Sequence, residues 1–286
     1  PEPFWDGVWE HAELIGSRNG RILSDHSGMQ GTKFYPQSTL NFAENCLAHD
    51  TPDSQAAVIS YAEAGERTEL TWGDLRQRVA NFRNTLQTLG IQQNDVVAGF
   101  VSNGHEAVVA SLATLSIGAI WTSCSPDFGV QGVLDRFGQT KPKVLVAAHT
   151  TRYNKKPIDL TERINGLLIE LRSITSAVIL DGACPDATTG AIRRPGCKVI
   201  AYDDAISGEY SLAFEQTAFN HPGFILYSSG TTGIPKCIVH SHGGALIQLV
   251  KEHRYHVDIK PFDRVFYYTT CGWMMWNWLL AALASK

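Results

Sequence analysis

Apolar residues recur in short unbroken runs along the middle of the chain, and these runs predict buried strands. The runs are 56–60, 95–101, 143–147, 177–180, 198–201 and 223–226. Runs of this length that are apolar throughout, rather than at every second position, are typical of strands covered on both faces. The pattern therefore indicates a sheet that lies inside the molecule.

Residues 71–90 repeat apolar side chains every three or four positions, which predicts an amphipathic helix. Its apolar face consists of Leu75, Val79, Phe82, Leu86 and Leu89. Thr71 and Asp74 have the spacing of a capping box, in which each side chain accepts a hydrogen bond from the other residue's backbone. Gly90 is a typical residue for the end of a helix.

Further helices are predicted at 105–118 and 157–172, with a surface loop at 182–197 and a polar helical stretch after 201. Residues 1–50 predict a short helix, a loop and a second short helix. Strands that alternate with helices predict an α/β fold, with a parallel sheet flanked by helices on both faces.

The segment 227–244, YSSGTTGIPKCIVHSHGG, follows the last apolar run and cannot pack a core. Glycines let the backbone approach a ligand closely, hydroxyl and backbone N–H groups can surround phosphate oxygens, and a lysine adds a positive charge. We expect residues 228–236 to lie just past the C-terminal end of their strand, where open α/β sheets bind ligands. Gly230 and Gly233 predict a mobile loop when no phosphate ligand is bound.

Two common phosphate loops do not match this segment. The Walker A pattern requires a Gly-Lys pair and the dinucleotide fingerprint requires G-x-G, and the sequence contains neither. By composition alone, a flexible Ser/Gly turn between two strands stays an equal alternative, because short Gly-rich patterns often match by chance.

Composition narrows the class of protein. The chain has 286 residues, a formal net charge of −4 and a densest basic group at 152–156, so no nucleic-acid partner is expected. The longest apolar run, 273–284, contains Asn277 and is too short to span a bilayer, so no membrane association is expected. Six scattered cysteines without a signal peptide predict a cytoplasmic protein. Both ends look cut, which predicts a fragment of a longer protein.

The string SSGTTGIPK at 228–236 resembles the phosphate-binding signature of the AMP-forming adenylating enzymes. Three further stretches resemble that family in the same order: 69–75, 112–128 and 264–278. Within the family, residues 40–45, 119–145 and 267–278 are most similar to acetoacetyl-CoA synthetases. The resemblance runs over the whole chain and corresponds to the N-terminal part of the family's large domain.

The resemblance implies an ATP-dependent acid–thiol ligase that activates acetoacetate to acetoacetyl-CoA through an acyl-adenylate. Its substrates would be acetoacetate, ATP with Mg²⁺, and CoA, in a pathway of lipid metabolism and ketone-body utilisation. It also implies a division into an N-terminal segment, 1–50, and a truncated AMP-binding domain, 51–286.

The resemblance also assigns site residues. The residues implied for the β- and γ-phosphates of ATP are Ser228, Ser229, Gly230, Thr231, Thr232, Gly233 and Lys236. Trp273 and Met274 would line the acyl pocket, with ordinary core packing as the alternative. Lys155 and Lys156 fall where relatives contact CoA, although a solvated basic loop is the favoured alternative. His240 and His242 lack a third ligand at metal spacing, so no metal site is expected.

Several family elements are missing from the sequence. It contains neither Y-G-x-T-E nor T-G-D, and the catalytic lysine would lie beyond Lys286, together with the remainder of the chain on which the site depends. We therefore expect residues 1–286 alone to be inactive. Two alternatives stay open: a truncated, non-catalytic relative that acts as a binding module, or a ligase for another short acid such as acetate or propionate.

Overall fold

The computed structural model describes residues 1–24, 28, 30–63, 65–180, 192–228 and 233–285. The helices are α1 Glu2–His11, α2 Phe42–Leu47, α3 Trp72–Thr88, α4 His105–Ser116, α5 Val130–Thr140, α6 Thr161–Glu170, α7 Tyr202–Ala205, α8 His242–Lys251 and α9 Met274–Ala281. A π-helical turn, Glu252–His256, extends α8, and a 3₁₀ turn, Ala282–Ala284, extends α9.

The strands form one large sheet and three small ones. They are β1 Gly16–Ser17, β2 Thr39–Leu40, β3 Ala56–Tyr61, β4 Arg67–Thr71, β5 Val96–Phe100, β6 Ile120–Cys124, β7 Val144–Ala148, β8 Thr150–Tyr153, β9 Lys156–Asp159, β10 Ser176–Leu180, β11 Lys198–Ala201, β12 Thr217–Ala218, β13 Pro222–Ser228 and β14 Lys236–Ser241. The large sheet has seven strands in the order β11-β10-β7-β5-β6-β13-β14.

The large sheet confirms the predicted α/β fold. Its neighbouring strands are parallel, except that β14 pairs antiparallel with β13 at one edge. Strands β6, β7 and β10 are buried along their whole length, as unbroken apolar runs require. The chain moves from β5 to β6 in one direction and from β6 to β7 in the other. Right-handed crossovers therefore place α4 and α5 on opposite faces.

Helix α3 forms as its sequence predicts. Thr71 and Asp74 make the reciprocal capping box, and Gly90 follows the helix with a φ of 83°, a left-handed conformation that favours glycine. Four of the five predicted apolar positions, Leu75, Val79, Phe82 and Leu86, are fully buried, while Leu89 is half-buried.

The helix predicted at 157–172 is shorter than expected and is preceded by a hairpin. Strands β8 and β9 pair antiparallel, and the two turn residues between them, Asn154 and Lys155, have φ values of 51° and 64°. Positive φ at both positions is the geometry of a type I′ turn, which suits a two-residue hairpin. The sequence prediction missed this hairpin because neither turn residue is glycine.

Two other predictions were wrong in detail. The run at 56–60 forms β3, but β3 pairs with β4 in a separate two-stranded sheet rather than joining the parallel one. The polar stretch after 201 forms only the short helix α7, and residues 206–216 form no helix or strand. Of the loop predicted at 182–197, residues 182–191 lie outside the described residues.

Two buried asparagines hold the first 50 residues together and to the rest of the chain. Asn41 caps α2, accepting hydrogen bonds from the backbone of Ala43 and Glu44, and its Nδ2 donates to the carbonyls of Leu115 and Glu215 at 2.9 and 2.8 Å. Asn45 pairs with both backbone groups of Ile15 at 2.8 and 2.9 Å. Residues 40–45 therefore make hydrogen bonds to three distant parts of the chain, at Ile15, Leu115 and Glu215. The domain boundary at residue 50 stays a prediction.

Candidate functional site

The candidate phosphate-binding segment begins and ends on adjacent strands. Ser228 is the last residue of β13 and Lys236 the first of β14, and the antiparallel register places them directly opposite each other. Residues facing each other in this way have Cβ atoms about 4.5–5.5 Å apart. Gly233 has a φ of 98°, which favours glycine there. Four residues of the segment lie outside the described residues: Ser229, Gly230, Thr231 and Thr232. The prediction of a mobile loop falls on these residues.

Helix α5 holds both strands of this hairpin through two consecutive residues. Gln139 Nε2 donates to the carbonyl of Pro235 at 2.8 Å, immediately before Lys236. The hydroxyl of Thr140 lies 3.4 Å from that of Tyr227, which precedes Ser228 and also bonds with Thr122 Oγ1 at 2.8 Å. Burial raises the pKa of Tyr227, so its phenol stays neutral and available as a hydrogen-bonding anchor.

The sheet places this hairpin end at a typical ligand-binding edge. Strands β5, β6 and β13 are adjacent and parallel, so the residues that follow their C-terminal ends share one edge. Ser228 ends β13, while Ser123 and Cys124 end β6, and both β6 residues are buried. Ser228 and Lys236 were predicted to lie in the loop past the strand, but they are the last residue of β13 and the first residue of β14, so the loop itself is shorter than predicted.

The acyl-pocket candidates lie on a segment that reaches the same edge. Trp273 precedes α9 and Met274 begins it, and their side chains are 59% and 44% exposed. Just before them, the carbonyl of Cys271 accepts a hydrogen bond from Ser123 Oγ at 2.6 Å. Neither side chain is packed in the core of the described residues, and the acyl-pocket role stays a prediction.

The two histidines of the segment have different environments. His242 begins α8 and is fully buried, and its Nδ1 accepts a hydrogen bond from the backbone N–H of Phe42 at 3.2 Å. Burial lowers the pKa of His242 to about 3, with a smaller contribution from His221. His240 is half-buried on β14, and burial lowers its pKa. Among the residues that the structure describes, no group of three potential metal ligands occurs.

The buried His242 predicts a loss of stability in acid. An unfolded histidine has a pKa of about 6.5, so between that pH and about 3 the unfolded chain binds a proton that folded His242 does not. Its contribution is complete above pH 6.5 and is lost as pH falls, by up to about 1.4 kcal/mol per pH unit. His253, with its pKa lowered to about 4 by burial, acts in the same direction.

We expect His242→Asn to weaken this pH dependence between pH 7.5 and 5, measured as the shift of the urea midpoint, because the amide oxygen can still accept from Phe42 but cannot be protonated there. The exposed His11 gives the control, His11→Asn, which should retain the wild-type slope. Equal slopes in the two variants would contradict the role given to His242.

The two lysines predicted to contact CoA lie away from Ser228 and Lys236. Lys155 lies in the β8–β9 turn and Lys156 begins β9, and both are exposed. The hairpin follows β7, which is separated from β13 by β5 and β6, a distance of roughly 14 Å at about 4.8 Å per strand. The structure thus does not bring these lysines next to Ser228 and Lys236.

The sequence analysis missed the residues that hold the site together. Gln139 is a single polar residue on a helix, and Asn103, in the loop after β5, accepts a hydrogen bond from Trp276 Nε1 at 2.9 Å. Neither position belongs to a recognisable pattern, and both partners are more than 90 residues away in the chain. No local sequence signal could have identified them.

Comparison with known proteins agrees with this geometry. Residues 45–285 match the model of the family described as AMP-binding enzyme. The chain belongs to the AMP-binding enzyme family. This confirms the family inferred from residues 228–236. No helix in the part of the chain that the structure describes has the length and apolar character needed to cross a membrane.

Individual members of the AMP-binding family are similar over nearly the whole chain. The acetoacetyl-coenzyme A synthetase of Rhizobium meliloti (strain 1021) is 44% identical over 283 residues, 98% of this chain and 42% of that protein. The malonamoyl-CoA synthetase vrtB of Penicillium aethiopicum is 38% identical over 294 residues, 99% of this chain and 40% of that protein. The structure of an acetoacetyl-CoA synthetase from Streptomyces lividans matches with a TM-score of 0.93 at 37% identity, covering 99% of this chain and 43% of that one. The chain spans less than half the length of these relatives.

Proposed function

We propose that the whole protein carrying these residues activates acetoacetate with ATP and transfers it to CoA. The carboxylate oxygen attacks the α-phosphorus of ATP, which breaks the bond to pyrophosphate and forms acetoacetyl-adenylate. The CoA thiolate then attacks the acyl carbon and AMP leaves. The observation that carries the proposal is the pairing of Ser228 with Lys236 at the carboxyl edge of the sheet. The similarity to acetoacetyl-CoA synthetases supports the choice of acid.

In this proposal the chain's own part in adenylation is to hold the leaving pyrophosphate. Ser228, the residues 229–232, Gly233 and Lys236 would donate hydrogen bonds and positive charge to the β- and γ-phosphates. Mg²⁺, which usually enters on the phosphates and keeps several waters, would neutralise further charge, and Ser228 Oγ is an oxygen ligand of the kind it accepts. Catalysis by these groups is positioning and charge stabilisation.

Trp273 and Met274 would contact the acyl group, because their exposed side chains follow a segment bonded to the end of β6. Malonamate is a second candidate acid, since a malonamoyl-CoA synthetase is 38% identical to this chain. Acetoacetate and malonamate have the same length and both carry a carbonyl group two carbons from the carboxylate. Acetate and propionate lack that carbonyl.

The remaining proposals concern the CoA contacts, the adenine and ribose contacts, and the compartment. Lys155 and Lys156 are exposed cations that could pair with CoA phosphates, although the solvated loop remains the simpler interpretation. Adenine and ribose contacts and the catalytic lysine would come from outside residues 1–286. The described cysteines, residues 46, 124, 197, 237 and 271, are free, which is typical of a reducing compartment such as the cytoplasm. There the enzyme would serve ketone-body utilisation.

The test is an acid panel on the whole protein with ATP, Mg²⁺ and CoA. Acetoacetate, malonamate, acetate, propionate and butyrate are compared at equal concentration, and each thioester is identified by its mass. Acetoacetate should give the highest kcat/KM. Higher activity on malonamate would reassign the acid within the same chemistry. No acid-dependent formation of AMP would reject the ligase and favour a binding module.

Met274→Val is expected to change acid preference more than rate. Removing about one methylene-sized group from an acyl contact changes discrimination by roughly 1–3 kcal/mol, because thioether packing adapts to irregular pockets. The kcat/KM ratio for acetoacetate over butyrate should therefore move about tenfold or more. Ile169→Val, an equally exposed site on α6, is the control and should leave the ratio unchanged. Matching ratios in both variants would remove Met274 from the acyl site.

A further inference from the structure

The loop after β5 is bonded to the segment that carries the acyl-pocket candidates. Asn103 lies in this loop, one residue before the cap of α4. Its Oδ1 accepts a hydrogen bond from Trp276 Nε1 at 2.9 Å, and its Nδ2 donates to the carbonyl of Thr269 at 3.3 Å. A single side chain thus bridges the two ends of the eight-residue segment 269–276, and Trp273 and Met274 lie between its two contacts.

The orientation of the Asn103 amide follows from the chemistry of its partners. An indole nitrogen can only donate a hydrogen bond, and a backbone carbonyl can only accept one. The amide oxygen must therefore face Trp276 and the amide nitrogen must face Thr269. Because the two contacts demand opposite ends of the amide, an asparagine satisfies both, while an aspartate of the same shape satisfies only the contact to Trp276.

Two neighbouring bonds hold the middle of the same segment. The Cys271 thiol donates to the carbonyl of Ser102 at 3.3 Å, and Ser123 Oγ donates to the carbonyl of Cys271 at 2.6 Å. Cys271 and Trp276 are buried, with exposed fractions of 0% and 1%, whereas Trp273 and Met274 between them are exposed. The segment 269–276 is therefore fixed at both ends and on its inner side, and it presents these two side chains outward.

We propose that Asn103 is a positioning residue that sets acid selectivity, by fixing where Trp273 and Met274 stand at the acyl site. It acts through the segment and does not touch the substrate. The inference rests on the proposed function, because it assumes that these two side chains contact the acid. A shift of about one ångström in such a contact is enough to change discrimination between acids of similar size.

The experiment compares Asn103→Ala with Ser102→Ala in the whole protein. The Ser102 side chain bonds with Thr151, while its carbonyl, which is retained in the variant, makes the contact to Cys271. We expect Asn103→Ala to lower the kcat/KM ratio for acetoacetate over butyrate about tenfold, through a higher KM for acetoacetate, with the KM for ATP changed less than about twofold. Ser102→Ala should keep the wild-type ratio.

A double-mutant cycle isolates the bond itself. Trp276→Phe removes the donor, and if the Asn103–Trp276 bond carries the effect, Asn103→Ala should change the ratio little further in that background. Equal ratios in Asn103→Ala and Ser102→Ala would overturn the inference, whereas fully additive changes would assign the positioning to the contact with Thr269. If Asn103→Ala does not fold, Asn103→Asp takes its place, because it keeps the acceptor for Trp276 and loses the donor to Thr269. An unchanged acetoacetate-to-butyrate ratio in both Asn103→Asp and Trp276→Phe would overturn the inference.

Failure of the proposed function gives a different result. If the wild-type protein shows no acid-dependent turnover, the acyl site is rejected. The hydrogen bonds that join Asn103 to Thr269 and Trp276, here called the Asn103 clamp, can still be measured by amide hydrogen exchange. Residues 269–276 should exchange faster in Asn103→Ala than in Ser102→Ala. Faster exchange with an unchanged selectivity ratio in an active enzyme would show a purely structural clamp and would refute the role in selectivity.

Discussion

Replacing Lys236 by alanine in the whole protein is expected to reduce acetoacetate-dependent adenylation by roughly 30- to 900-fold. The lysine begins β14 opposite Ser228 and is exposed, so its ammonium group can reach a phosphate that lies past the end of β13. Losing one preorganised charged donor costs about 2–4 kcal/mol of transition-state stabilisation. The measurement is kcat/KM for ATP in pyrophosphate release.

The two half-reactions should respond differently to this change. Thioester formation from preformed acetoacetyl-adenylate involves no β- or γ-phosphate, so Lys236→Ala should slow it much less than adenylation. Lys198→Ala provides the control, because Lys198 is an exposed lysine on β11 at the opposite edge of the same sheet. An equal loss in both half-reactions would show that Lys236 does not act on the leaving pyrophosphate.

Replacing Asn41 by alanine is expected to cause a large loss of folding stability. The change removes the cap of α2, which is worth about 1 kcal/mol, and two hydrogen bonds from the buried Asn41 amide to the carbonyls of Leu115 and Glu215. Each of these hydrogen bonds contributes about 0.5–1.5 kcal/mol net, so the total should be roughly 2–4 kcal/mol. Urea unfolding monitored by tryptophan fluorescence measures it.

Asn220→Ala is the matched control for Asn41. Asn220 is exposed, and its Nδ2 donates a hydrogen bond to the carbonyl of Phe34. A solvent-accessible carbonyl finds water when its partner is removed, so the loss should stay within about 0.5 kcal/mol. A comparable loss in the two variants would mean that burial of the Asn41 contacts contributes little.

The parts of the fold that local patterns encode could be predicted from the sequence. The capping box at Thr71 and Asp74, the stop at Gly90 and the buried parallel strands each depend on residues close together in the chain. Strand β3 shows the limit of this reasoning. Its apolar run resembles those of the parallel strands, but β3 pairs with β4 and is only half-buried, which periodicity cannot reveal.

The candidate site, like the fold, could be predicted from the sequence only where its residues lie close together in the chain. The composition of residues 228–236 allowed a phosphate loop and a flexible turn equally, and the resemblance of the string to the signature of the AMP-forming adenylating enzymes favoured the phosphate loop. What holds that loop and the acyl segment is not local. Gln139 contacts Pro235 across 96 positions, and Asn103 contacts Trp276 across 173, so these roles emerge only when the sheet brings the elements together.

Acetoacetate-dependent exchange of labelled pyrophosphate into ATP, measured on the whole protein in the absence of CoA, tests the central claim most directly. An acyl-adenylate formed at this site reverses with pyrophosphate, so exchange should require acetoacetate and Mg²⁺, should proceed without CoA, and should fall sharply in Lys236→Ala but not in Lys198→Ala. Exchange that is absent without CoA, or cleavage of ATP to ADP and phosphate, would contradict the adenylation chemistry assigned to residues 228–236.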